Sequence, residues 1–276
     1  MRIVSLTAVA SLALVSQLAA QQPAPPAPPS SPRATAPTDI TGVWVSVVTE
    51  DWRWRMVTPS PGDTLGIPVN PAAQKMSESW DYTKEAAAGN ACKAYGAGGI
   101  MRMPTRLRIG WQDDSTLKIE TDAGRQTKLV YFDRSRQPSA PRTLQGHSTA
   151  EWVNVFTGGR GGRGAAPAAA GRGDRGAPAY GTGTLRVVTT NLVDGYLRKN
   201  GVPYSQNAVV TEHFDRVPGP DESQWLVVKT IVEDPAYLTG PYITSAHFMR
   251  EPDDAKWHPA GCDVDPPLVP EKRDVR

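Results

Sequence analysis

One carboxylate interrupts an otherwise apolar strand face. In QNAVVTEHFDRV (Gln206–Val217), alternation puts Ala208, Val210 and Phe214 on one side, and Glu212 falls among them. Asn207, Thr211, His213 and Asp215 take the opposite, polar side. A carboxyl group held among apolar neighbours has a raised pKa and suits general acid or base work. The alternatives are an ion pair with Arg186 or Arg198, or a bulge that turns Glu212 outward. His147, on another strand, is the second proton-transfer candidate.

Two further segments carry binding chemistry. EDWRWRM (Glu50–Met56) alternates aromatic and basic residues. As an extended segment it places Trp52 and Trp54 on one face and Arg53 and Arg55 on the other. At a barrel mouth that arrangement stacks on a ring and clamps an anionic group. The plain alternative is core tryptophans flanked by surface arginines. In YLRKNGVPY (Tyr196–Tyr204), Asn200-Gly201 marks a turn, and Tyr196, Arg198 and Tyr204 are placed to line a mouth or to pack on a hairpin edge.

Other chemistries lack a pattern. The four histidines show no short ligand spacing, so a metal site would have to assemble across strands, for example from His147 or His247 with Glu151 or Glu212. No phosphate loop, H-E-x-x-H, G-x-S-x-G or C-x-x-C occurs, and nothing argues for a cofactor.

The elements that must position these residues are strands. GTLRVVTTN, QNAVVTEHFDRV, SQWLVVKTIVED and YITSAHFMRE follow one another with turn residues between them, which predicts an antiparallel meander. ITGVWVSVVT, PTRLRIGWQ, TLKIETD, RQTKLVYFD and HSTAEWVNVF precede them. Asp122-Ala123-Gly124 predicts a tight hairpin. About nine such strands predict an all-β domain, an up-and-down barrel or curved half-barrel, with a two-sheet sandwich as second choice. One short helix is expected over 70–88, with Asn70 as N-cap, Pro71 at its first position, Met76 and Trp80 on its apolar side and Gly89 after it.

Residues 1–20 read as a secretory signal peptide: one early charge, Arg2, then an apolar run and Ala19-Ala20. Residues 21–37 form a Pro/Ala linker expected to be extended. The folded domain is expected over 38–262, interrupted by a disordered Gly/Arg/Ala-rich insertion at 157–181, with a flexible tail at 263–276. No second stretch is apolar enough for a transmembrane helix. The formal net charge of +2 gives no global field for nucleic acid. In an oxidising compartment Cys92 and Cys262 form one disulfide, worth about 5 kcal/mol in the chain-entropy model. Oligomeric state leaves no mark in the sequence.

Gly42-Val43-Trp44, on the first strand, resembles the G-x-W motif of lipocalins and other calycins. The resemblance implies a barrel whose closed end is crossed by Trp44, with Arg250 covering the indole by a cation–π contact. The chain departs from that family by its helical excursion after the first strand, by lacking a clear helix after the barrel and by lacking a T-D-Y-like motif. The last eighty or so residues, with TEHFDRV…WLVVKTIVEDPAYLTGPY, resemble secreted proteins of soil bacteria and imply a shared fold but no chemistry. Three functions follow in order: an exported barrel binding a small, partly apolar ligand; an isomerase, cyclase or dehydratase on the same scaffold; or a structural or surface-interaction protein. An open interior favours the first two and a filled one the third.

Overall fold

Nine strands close into a barrel because each presents one apolar side. In the computed structural model, which describes residues 30–138, 141–153 and 183–268, these are β1 (Gly42–Val47), β2 (Arg106–Trp111), β3 (Thr116–Thr121), β4 (Thr127–Tyr131), β5 (His147–Val153), β6 (Thr184–Thr190), β9 (Val209–Pro218), β10 (Gln224–Glu233) and β11 (Tyr242–Glu251). A separate ribbon, β7 (Gly195–Tyr196) with β8 (Pro203–Tyr204), lies between β6 and β9 in sequence. The leader and the insertion at 157–181 fall outside the described residues.

Around the barrel the order is β1-β11-β10-β9-β6-β5-β4-β3-β2. All neighbours are antiparallel except β4 and β5, which pair in parallel through Val130↔Ser148 and Tyr131↔Thr149. A closed ring with an odd number of strands cannot alternate direction throughout, so one parallel seam is unavoidable. The all-β barrel is therefore as expected, with this one departure from a pure up-and-down order.

Helical content exceeds the single helix expected. Residues Trp52–Arg55 form α1, Pro71–Glu78 form α2 and Tyr82–Ala87 form α3. Asn70 caps α2 by accepting from Ala73 N at 3.0 Å, as its type predicts. The helix breaks at Trp80, which is buried against the ribbon turn, and Asp81 restarts it by accepting from Thr83 N and Lys84 N. Ala73 and Ser77, rather than Met76, form the buried side of α2.

Hydrogen bonds and an ion pair also occur outside residues 38–262. Residues 32–35 make a turn, with Thr35 N donating to Ser31 O and Arg33 N to Asp114 O, instead of an extended linker. Beyond Cys262, Leu268 N donates to Thr58 O and Lys199 pairs with Asp265 at 3.0 Å. Cys92 and Cys262 are disulfide-bonded, with Cα atoms 5.0 Å apart. Among the described residues no helix is long and apolar enough to cross a membrane.

The interior is packed. Trp44, Leu107, Leu117, Val130, Leu185, Val187, Phe214, Leu226 and Phe248 are fully buried in one apolar cluster. A second cluster, with Val210, Val232, Tyr204 and Tyr242, fills the end that carries the ribbon. At that end β1 and β10 leave the barrel and β9 and β11 enter it.

Candidate functional site

Between the two apolar clusters lies a polar layer with one side chain from each of five neighbouring strands: Lys128, Ser148, Thr189, Glu212 and Thr230. Parity placed Glu212 inward, and it is inward, at 0% exposure. Its partner is neither Arg186 nor Arg198 but Lys128, 3% exposed, whose Nζ donates to Oε2 at 2.6 Å. Arg186 instead pairs with Glu151 on the barrel exterior. Ser148 and Thr189 hydroxyls share a 2.8 Å hydrogen bond. Glu212 Oε1 and the register-opposite Thr230 Oγ1 have no hydrogen-bond partner among the described residues. Glu212 and Lys128 are both closed off from solvent in this layer.

His147 does not join Glu212. Its neighbour Ser148 points inward, so His147 points outward, stacked on Tyr131 with centroids 5.3 Å apart. Among the described residues, no group of three or more His, Cys, Asp or Glu is placed to hold a metal ion.

The cleft with binding chemistry opens at the ribbon end. Its volume is about 310 Å³, and it is lined by Glu50, Asp51, Trp54, Leu65, Arg102, Arg198, Tyr242, Ile243 and His247, among others. That size sits at the lower bound of small-molecule sites. Glu50 and Asp51 leave the end of β1, while Tyr242 to His247 belong to the start of β11, paired to β1 through Val47↔His247. Arg198 comes from the ribbon turn, which closes through Leu197 N to Val202 O at 2.7 Å and needs Gly201 at φ +78°. Arg102 follows a glycine-rich run, residues 96–99, that threads past Tyr204; a Cβ on Gly96 would collide with the Tyr204 hydroxyl.

Three buried arginines meet here, and their charges are balanced unequally. Arg55 Nη1 donates to Glu50 Oε1 at 2.8 Å and to Val47 O, while its Nε donates to Arg102 O. Arg102 Nη2 donates to Asp51 Oδ2 at 3.0 Å. Arg198, 6% exposed, is in no ion pair among the described residues; Nη2 donates to Leu65 O at 2.7 Å and Nη1 to Asp63 O at 3.4 Å, and the guanidinium also meets the Tyr242 hydroxyl. The nearby Asp63 carboxylate is engaged by Arg53 at 3.5 Å. Burial, above all, disfavours the charged forms of Arg55 and Arg198, and Arg102 adds repulsion to each. A guanidinium stays protonated under these conditions, so the cost is carried as unbalanced charge. Arg55 Nη2, Arg102 Nε and Arg198 Nε have no acceptor among the described residues. The Arg198 guanidinium carbon sits 4.9 Å from the centre of the Trp54 ring.

The WRWR segment reaches this cleft by a different geometry from the one expected. Asp51 takes φ +55°, and its carbonyl accepts from Trp54 N and Arg55 N, so the segment is one helical turn. Alternation therefore fails. Arg55 is buried, Trp54 lines the cleft, and Trp52 and Arg53 face solvent. Tyr196 and Tyr204 are not in the cleft. Tyr196 donates to Glu85 Oε2 at 2.8 Å, its hydroxyl pKa raised by burial and then by that carboxylate, beside a slit of about 10 Å³ that holds no more than one water. Tyr204 is fully buried in the ribbon-end core.

At the opposite end Trp44 is fully buried, its Nε1 donating to Ile40 O at 3.0 Å. Arg250 lies over it at 5.5 Å, as the calycin resemblance implied. A side chain on Gly42, at φ +124°, would press on that guanidinium at 3.0 Å. Arg102, Tyr242 and His247 are cleft residues that sequence reasoning did not place there; none carries a local spacing that marks it. Comparison with family models, curated proteins and solved structures found no match, so the lipocalin-like resemblance stands on the closed barrel and the Trp44 contact alone.

Proposed function

We propose that the chain is an exported β-barrel protein that binds a small, partly apolar anion in the cleft at the ribbon end. One observation carries this: Arg198 is a buried cation that, among the described residues, has no carboxylate within ion-pair distance; its side-chain contacts are with carbonyls, the Tyr242 hydroxyl and the Trp54 ring. An unpaired buried charge costs several kcal/mol unless something balances it. An anionic ligand group entering between Arg198 and Arg102 supplies that balance, and the Trp54 ring adds an apolar wall. The Cys92–Cys262 bond and the signal-like first twenty residues support export. The packed interior supports a ligand at the mouth, not inside the barrel.

The test is native mass spectrometry of the chain expressed through a secretory route. A small anionic adduct in the wild type that is lost in Arg198→Gln supports the proposal. Adduct-free protein that also gives no response to a panel of small aromatic and aliphatic carboxylates refutes it.

A second function, an acid–base enzyme in the same cleft, draws on His247, whose Nδ1 lies 3.3 Å from Glu50 Oε1. A carboxylate that orients an imidazole beside an anion clamp is an arrangement for proton transfer on a bound acid. Here His247→Gln keeps ligand affinity and abolishes turnover; equal loss of both leaves binding as the only role.

A further inference from the structure

Resting on the mouth-cleft proposal, the next question is which way round the ligand lies. The cationic groups of the cleft are deep: Arg102 and Arg198 are buried, while the carboxylates that line it, Glu50 and Asp51, lie nearer the surface and are already paired with Arg55 and Arg102. The apolar groups are at the lip. Leu65 and Ile243 line the same cleft and are 67% and 59% exposed. Trp52 and Met56, on or next to the helical turn that carries Trp54, are also exposed. Large apolar side chains left in water around one opening mark a contact surface.

We infer that the ligand is a single-chain anionic amphiphile, bound head inward. Its carboxylate or phosphate group meets the guanidinium groups of Arg198 and Arg102, which line the cleft, and its hydrocarbon chain lies outward over Leu65 and Ile243. The volume supports this. About 310 Å³ accepts a head group and the first few methylenes, not a long chain, so the rest of the chain must use the lip. The two requirements are complementary: a hydrophilic anion leaves the lip wet, and a neutral hydrocarbon leaves Arg198 unbalanced.

The experiment titrates the full chain calorimetrically with n-alkyl carboxylates of increasing length, and in parallel with n-alkyl phosphates, all below micelle formation. Affinity is expected to rise about two- to fourfold per methylene over the first several carbons and then level off, since a buried methylene contributes up to about 0.8 kcal/mol. Leu65→Ser/Ile243→Ser, checked for an unchanged circular dichroism spectrum, is expected to flatten that rise. A flat series in both head-group classes overturns the amphiphile while leaving a small-anion site standing. No binding at any length, acetate and benzoate included, removes the mouth-cleft site as well. Binding to anionic vesicles but to no monomeric amphiphile also overturns the inference, because the lip would then be a membrane contact.

Discussion

The barrel interior and the barrel mouth each bury charge, and they handle it differently. Inside, Glu212 and Lys128 neutralise one another at 2.6 Å within a polar layer between two apolar clusters. At the mouth, Arg198 is buried to a similar degree but bonds only to neutral groups. The interior pair is complete without any other molecule. The mouth is not. A buried ion pair is a structural commitment whose net worth is small but whose half-removal is severe. A buried unpaired cation gains its partner from outside, which makes it the place to look for function.

This contrast is easiest to test through single removals. Glu212→Gln or Lys128→Met leaves an isolated buried charge and should cost about 3–5 kcal/mol in denaturant unfolding, whereas Lys128→Met/Glu212→Leu together should recover most of it. A full-size loss in the double variant would mean the pair is stabilising in its own right. Removing the disulfide by Cys92→Ser/Cys262→Ser should cost about 2–5 kcal/mol, measured the same way; equal stability in oxidised and reduced protein would contradict a closed loop of 170 residues.

Arg198→Met should behave unlike Glu212→Gln. It loses the hydrogen bonds to two carbonyls and the contacts with the Tyr242 hydroxyl and the Trp54 ring, but it also relieves a buried charge, so its stability change should stay well below that of Glu212→Gln, at about 1–2 kcal/mol. Anion affinity should fall at least about tenfold, consistent with losing one charge-assisted contact. A destabilisation matching that of Glu212→Gln would show that Arg198 is structural.

The smallest effect is one of pH. His213 lies on the outer face of β9, register-opposite Arg186 and Lys229. Burial first, then Lys229 and Arg186, lower its pKa below the ordinary 6.5. The unfolded chain then takes up the proton at a higher pH than the native one. The His213 contribution is therefore intact above about pH 6.5 and is lost as pH falls from there through the lowered native value. Stability curves of wild type and His213→Asn should diverge only in that acidic window; divergence above pH 7 would contradict the sign.

Much of this architecture was legible because strand parity is a local property. Glu212 could be placed inward from its neighbours at 210 and 214 alone, whereas the pairing of Trp44 with Arg250 came from the resemblance of Gly42-Val43-Trp44 to the calycin motif. The partner of Glu212 was not legible, since Lys128 lies 84 positions away and faces it only through the stagger of a closed barrel. The WRWR segment misled for a different reason. Four residues are too few to separate a period of 2 from one of 3.6, and a left-handed Asp51 decided for a helical turn. Trp54 and Arg198 were candidates from their types and do meet. Arg102, Tyr242 and His247 join them only because β1, β11, the glycine-rich run and the ribbon turn converge at one end.

The central claim is that Arg198 recognises negative charge in a bound molecule. The direct measurement compares matched ligands, phenylacetate and phenylacetamide, by isothermal titration to wild type and to Arg198→Gln. Wild type should prefer the acid by about tenfold or more, and the variant should bind both alike. An equal preference in the variant, or none in the wild type, would contradict the claim.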